Sequence, residues 1–154
     1  MPADSTTWLL VCHLAVTLFM TGVIWFVQVV HYPLFAHVSP PAFTAYQHQH
    51  MRRTGWVVAV PMLIEAALAI LVAWHVGGRL AVAGLVLLAV VWASTWGWQV
   101  PAHRRLERGF DAAAHRRLVG TNWVRTVAWT MRAALAGVLL LTRCARDNES
   151  GPAG

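Results

Sequence analysis

The stretch Asn122-Trp-Val-Arg125-Thr-Val-Ala-Trp129-Thr-Met-Arg132, followed by the apolar run AALAGVLLLT to residue 142, decides how this chain is read. It is long enough to cross a bilayer, for which ~20 apolar residues suffice, yet it carries two arginines. Asn122, Arg125, Trp129 and Arg132 follow one another at spacings of three, four and three, so they share one face of a helix. An arginine near the bilayer centre costs roughly 2.5–3.5 kcal/mol on insertion scales. Such a residue turns toward a bundle interior, a polar cavity or a partner. The segment reads as a membrane helix with a polar inner face.

Three more stretches of that length precede it, at about 8–30, 56–76 and 80–100. Only 12% of the residues are charged and mean hydropathy is +0.54, against about 25% charged in soluble domains. The expectation is an all-α, four-transmembrane-helix bundle. It forms a single integral membrane domain over residues 1–154, built as two tandem helical hairpins with a tight turn at Gly77-Gly78 and a disordered tail at 145–154. No basic residue precedes the first apolar run, and that run exceeds a signal-peptide core, so it is read as a retained helix.

Net charge is +6 and all twelve basic residues are arginine. Arg52 and Arg53 lie between the first two spans, and Arg104, Arg105, Arg108, Arg116 and Arg117 between the last two. Only Arg79, Arg143 and Arg146 fall on the other side. The positive-inside rule makes the two long loops cytoplasmic and places the N-terminus and C-terminus outside, as expected in a bacterial plasma membrane. Topology therefore accounts for the basic charge, with membrane lipid as the partner and no nucleic acid. Cys12 and Cys144 fall near the outer surface, where a disulfide is chemically possible; two free thiols are the simpler reading.

The halves of the chain resemble each other. Trp25-x-x-Gln28 followed by His31 and Pro33 recurs as Trp96-x-x-Gln99 followed by Pro101 and His103. When Trp56 is matched to Trp123, Glu65 falls on Arg132, nine residues further along each helix. An acid and a base at equal depth, ~13 Å from the matched Trp at 1.5 Å per residue, invite a buried ion pair.

Each remaining span offers one inward face: His13, Thr17, Thr21, Trp25, Gln28 and Tyr32 in the first; Pro61, Glu65, Leu68, Val72 and His75 in the second; Trp92, Trp96, Gln99 and His103 in the third. Hydrogen bonding between helices explains Thr17, Thr21 and most of the tryptophans. Small residues such as Ala66, Ala69, Ala73, Ala133, Ala136 and Gly137 are expected to let the second and fourth helices approach closely. With Glu65 paired to Arg132, Arg125 has no acidic partner in the spans. It either snorkels to water or faces inward, making the core net positive and suited to a small hydrophobic or anionic ligand such as a phenolate or carboxylate. Glu65, Trp129 and Arg132 are then candidate ligand-binding residues.

Histidines gather at the cytoplasmic ends of the spans. Such a gathering suits holding a metal or haem, or moving a proton; His31, His48, His50, His103 and His115 are the candidate metal ligands, His31 and His103 foremost because they continue polar faces. None has a recognised metal spacing. His13 and His75 lie toward the outer side and read as structural or interfacial.

Val100-Pro101-x-His103-x-x-Leu106, then Asn122-x-Val124-Arg125-Thr126-Val127-Ala128, with Tyr32-Pro33-Leu34 after the first span, resembles a family of small four-helix integral membrane proteins of unknown function that includes anthrone oxygenases. The chain departs from that pattern at His103, near which such proteins often carry Asn. The resemblance implies the fold and the Asn122 and Arg125 motif, and leaves the substrate open. Carried to activity, it implies oxygenation of a phenolic or polyketide-like molecule without an evident cofactor. His103 or His31 would act as base, Arg125 with Arg132 would stabilise the anion, and Asn122, Gln28 and Gln99 would orient the ring oxygens. Two alternatives stay open: a haem-, quinone- or metal-binding membrane protein using the histidines, and a non-catalytic structural or transport subunit, in either case a possible homo-oligomer.

Overall fold

The computed structural model describes residues 4–149, and every regular element among them is helical. Four helices are long and apolar enough to cross a membrane: α1 (Ser5–His37), α2 (Pro40–His75), α3 (Gly78–Leu106) and α4 (Ala112–Glu149). Their outer surface is apolar. Trp56, Trp74 and Leu141 are 81%, 83% and 70% exposed, a surface that suits lipid rather than water.

Short, chemically specific connections join the helices. Asp4 caps α1, its Oδ1 accepting the Thr7 N–H at 2.8 Å. Ser39 and Pro40 start α2, with proline in the first turn where its missing N–H costs nothing. Gly77 and Gly78 take φ of 64° and 83° between α2 and α3, a conformation that disfavours any side chain. Asp111 opens α4, its Oδ1 accepting from Ala113 and Ala114 while Arg105 Nε bonds the other oxygen at 2.7 Å. The Ala114 N–H, and after it the Arg105 side chain, hold the Asp111 carboxyl below its usual range.

The helices are longer than the spans read from hydropathy. Residues 40–55 and 112–121, expected as loops, are the first turns of α2 and α4. With 36 residues, α2 is about 54 Å long and overshoots a ~30 Å hydrocarbon core by about 24 Å. Buried Phe35, Phe43, Leu106 and Leu118 give the overshooting ends a core of their own, and that core keeps polar segments helical. At the other end α4 is helical to Glu149, so the tail expected to be disordered from 145 is ordered that far. The rest of it, 150–154, lies outside the described residues.

Around the bundle, α1 packs on α2 and α4, and α3 packs on α2 and α4. The close approach expected between α2 and α4 is not what the small residues serve, because those two helices face each other across the bundle. Ala81, Ala128 and Ala136 are buried where α4 meets its true neighbours.

Two π-helical turns interrupt α1 and α3, at Val27–His31 and Thr95–Gln99. Each precedes a proline by two residues. Pro33 and Pro101 offer no N–H to the carbonyl four residues back, and their rings crowd it. The preceding turn widens, so that Tyr32 N–H reaches Val27 O and Val100 N–H reaches Thr95 O. An added residue per turn breaks a face counted in threes and fours. Trp96, expected to face inward, is therefore 60% exposed, while Ser94 and Gln99, five apart, are both buried. The two turns also correct the register of the repeat: matched through the prolines, His31 corresponds to Gln99, not Gln28.

Candidate functional site

Along its axis the bundle interior alternates apolar and polar layers. The polar layer nearer the chain termini joins α2 to α4 across the bundle. Arg132 donates to Glu65 Oε1 and to the Gly84 carbonyl of α3, and both charged side chains are essentially sealed from solvent. Thr17 donates to the same Glu65 oxygen at 3.3 Å, and His13 Nε2 stands 3.4 Å from it. The Arg132 guanidinium lies 5.6 Å from the centroid of buried Trp129, within cation–π range. The depth match of the repeat anticipates this pair. His13, placed toward the outer side on the inward face of the first span, lies inside this layer. His75 is exposed at the end of α2.

A dry layer follows, made of Met20, Ile24, Met62, Val91, Ala128 and Trp129. Beyond it lies the second polar layer, about 10 Å along α4, the rise of the seven residues from Arg132 to Arg125. Gln28, held in the first π-turn, accepts from Asn122 Nδ2 at 2.9 Å and donates to the Val119 carbonyl at 3.2 Å. Arg125 Nη1 donates to Asn122 Oδ1 at 3.1 Å, and the guanidinium also lies against the Tyr32 hydroxyl. Arg125 is 8% exposed. It faces inward and does not snorkel. Gln99, set by the second π-turn, donates to Thr121 at 2.8 Å, leaving its Oε1 buried without a partner.

These residues border a cavity of about 150 Å³. Most of its wall is apolar, with Met20, Ile24 and Val58 among the lining residues. Tyr32, Arg125 and His103 supply polar groups from α1, α4 and α3, and His50 with Thr54 supplies them from α2. His103 lies between two partners, its Nδ1 2.9 Å from Gln47 Nε2 and its Nε2 3.0 Å from the Tyr32 hydroxyl. As Gln47 is oriented, it donates to Nδ1, so the imidazole proton is on Nε2 and goes to Tyr32 Oη. The Tyr32 hydrogen is left for another acceptor.

His50 is disposed differently. Its Nδ1 meets His31 Nε2 at 2.8 Å and Thr54 Oγ1 at 3.0 Å, which leaves Nε2 as the ring nitrogen free for a ligand. Of the bases expected, His103 lines the cavity with both nitrogens engaged, and His31 stands behind His50, half-buried at the edge of the bundle and outside the cavity wall.

Of the five candidate metal ligands, His31, His50 and His103 come together, with ring centroids 4.8 Å and 5.2 Å apart in sequence of contact. His48 is exposed beside Glu107, and His115 bonds the Tyr32 carbonyl at 2.8 Å. Among the described residues no group of three or more His, Cys, Asp or Glu is placed to hold a metal ion. Cys12 and Cys144 are both free and exposed.

Sequence reasoning passed over Gln47 and Thr54 and read His50 only as one of a group of histidines suited to holding a metal or haem or to moving a proton. A signal was present. Phe43, Gln47, His50, Thr54, Val58, Pro61 and Glu65 run at spacings of four and three, one continuous helical face, once 40–55 is read as helix rather than loop.

Fold and site together define an all-helical protein with four helices able to cross a membrane and an arginine- and histidine-lined cavity near one end of the bundle. No protein-family model, curated protein or solved structure matches the chain.

Proposed function

We propose that this chain is an integral membrane enzyme that binds a small phenol or enol in the cavity, removes its proton and holds the anion, in the manner of an anthrone-oxygenase-like oxidoreductase. In this reading the two hairpins are in tandem, both termini are outside, and the arginine-rich ends of the helices and the cavity lie on the cytoplasmic side of a plasma membrane. The observation that carries the reading is the make-up of the cavity wall: Arg125, Tyr32 and His50, whose Nδ1 is engaged by His31 and Thr54 while Nε2 stays free, set in a wall that is mostly apolar. A buried cation and a hydroxyl donor stabilise a ligand oxygen that becomes negative, and do so most strongly where water is excluded. The anion is electron-rich carbon as well as oxygen, so molecular oxygen can react with it. For the keto form of an enol the balance is R2CH2 + O2 giving R2CO + H2O: the acidic C–H proton goes first to base, the second C–H hydrogen is lost as the oxygen–oxygen bond breaks, and a proton is returned to the departing oxygen to complete the water.

Size narrows the ligand. A cavity of about 150 Å³ in a well-studied protein accepts benzene, so this one suits a single ring. A three-ring substrate would require it to open.

The test is to purify the protein in mild detergent and examine its visible spectrum, its metal content and any retained small molecule by native mass spectrometry. A colourless, metal-free protein that retains or binds a single-ring phenol, with affinity reduced roughly a hundredfold in Arg125→Gln, the scale of a lost charge-assisted bond, is the expected outcome. A haem band, stoichiometric metal, or unchanged binding in Arg125→Gln overturns it.

A further inference from the structure

We propose that His31 is the proton exit of the cavity: it accepts, through His50, the proton that a ligand loses and passes it to water at the edge of the bundle. The inference rests on the function proposed above and assigns the route that function requires.

A proton taken from a ligand in this cavity has few places to go. Glu65 is the carboxylate buried in the bundle, and it belongs to the other polar layer, paired with Arg132 beyond the dry layer. His103 has both nitrogens engaged. A proton left on His50 would put a second cation in the cavity wall that already holds Arg125. What remains is the contact of 2.8 Å between His50 Nδ1 and His31 Nε2. His31 sits in the first π-turn, which sets its ring against His50, while part of the residue stays at the molecular surface. Phe26 and Phe35 pack around it, the first stacked and the second edge-on, and fix the ring in place.

The transfer balances without another reactant. The ligand O–H or C–H bond breaks and its proton binds His50 Nε2. The proton on His50 Nδ1 moves to His31 Nε2, and the proton on His31 Nδ1 passes to water. One proton enters and one leaves, and both imidazoles end as the opposite neutral tautomer. His31 does not touch the ligand, so its role is to position and relay rather than to bind.

The probe is p-nitrophenol, a single-ring acid whose anion is yellow, mixed rapidly with the detergent-solubilised full chain and a pH-indicating dye in solution. In the unaltered protein the yellow anion and the released proton are expected together. His31→Ala should bind the probe within about twofold of the original affinity yet release the proton more slowly by roughly a hundredfold, the scale of a positioned acid–base group. Added imidazole should restore the rate. His31→Gln, which keeps a hydrogen bond to His50 and cannot relay, should match His31→Ala and guards against a loss of folding. Normal proton release in His31→Gln overturns the relay and leaves the proposed function standing. Failure of the unaltered protein to bind the probe as an anion overturns both.

Discussion

At the scale of single residues, the two buried arginines differ in what they hold. Arg132 is committed to Glu65, and breaking a buried pair by removing one partner costs about 3–5 kcal/mol because a naked charge stays behind. Glu65→Leu and Arg132→Met should each lower the thermal midpoint in detergent strongly, and the double variant should recover most of the loss; single variants as stable as the parent would refute the pairing argument. Asp111 gives a pH test. Its folded-state carboxyl is depressed by the Ala114 N–H and Arg105, so its contribution is full above the unfolded value near 3.9 and is lost as pH falls through the lower folded value. Asp111→Ala should therefore unfold at lower temperature than the parent at pH 7, with the gap closing toward pH 3. A gap of constant size across that range would mean that the cap acts by shape alone. Arg125, Asn122, Glu65 and Arg132 were legible in the sequence, because a charged or amide side chain inside an apolar run has few places to go. His13 and Tyr32 were visible as members of a polar face, but spacing cannot tell which member meets a partner from another helix.

At the scale of elements, hydropathy located all four helices and failed at their ends. It reports where lipid is, not where helix stops, and the end of α2 that carries Gln47, His50 and Thr54 lies past the apolar limit. The π-turns were not legible at all, though the prolines that cause them were in plain sight. They make a sharp prediction. Since Thr95–Gln99 contains one residue beyond an α-turn, deleting Gly97 together with Pro101→Ala, which removes the ring that widens the turn, should let that turn close as ordinary helix and leave the flanking faces in register. Deleting Ala89, in regular helix, rotates everything beyond it by about 100°. The first deletion should give a monodisperse, helical protein in detergent and the second should not. Equal tolerance of the two would mean that the π-turn does not set the register.

At the scale of the whole molecule, the proposed topology follows from arginines crowded at one end of the bundle, and it can be read out chemically. With Cys12 and Cys144 replaced by serine, His48→Cys should resist a membrane-impermeant maleimide in intact cells, whereas Arg79→Cys should react; the reverse pattern would invert the molecule. The dry layer of Met20, Ile24, Met62, Val91, Ala128 and Trp129 has a further consequence for a protein so placed. It is the insulation of the device. An electric field across the membrane falls mainly over the stretch without mobile or polar charge, so the cavity shares the voltage of the compartment it adjoins. A charge carried fully across costs about 2.3 kcal/mol per 100 mV, but an anion entering this cavity makes almost none of that journey. In the proposed orientation, its occupancy is therefore expected to follow concentration on one side and to be indifferent to whether the membrane is energised.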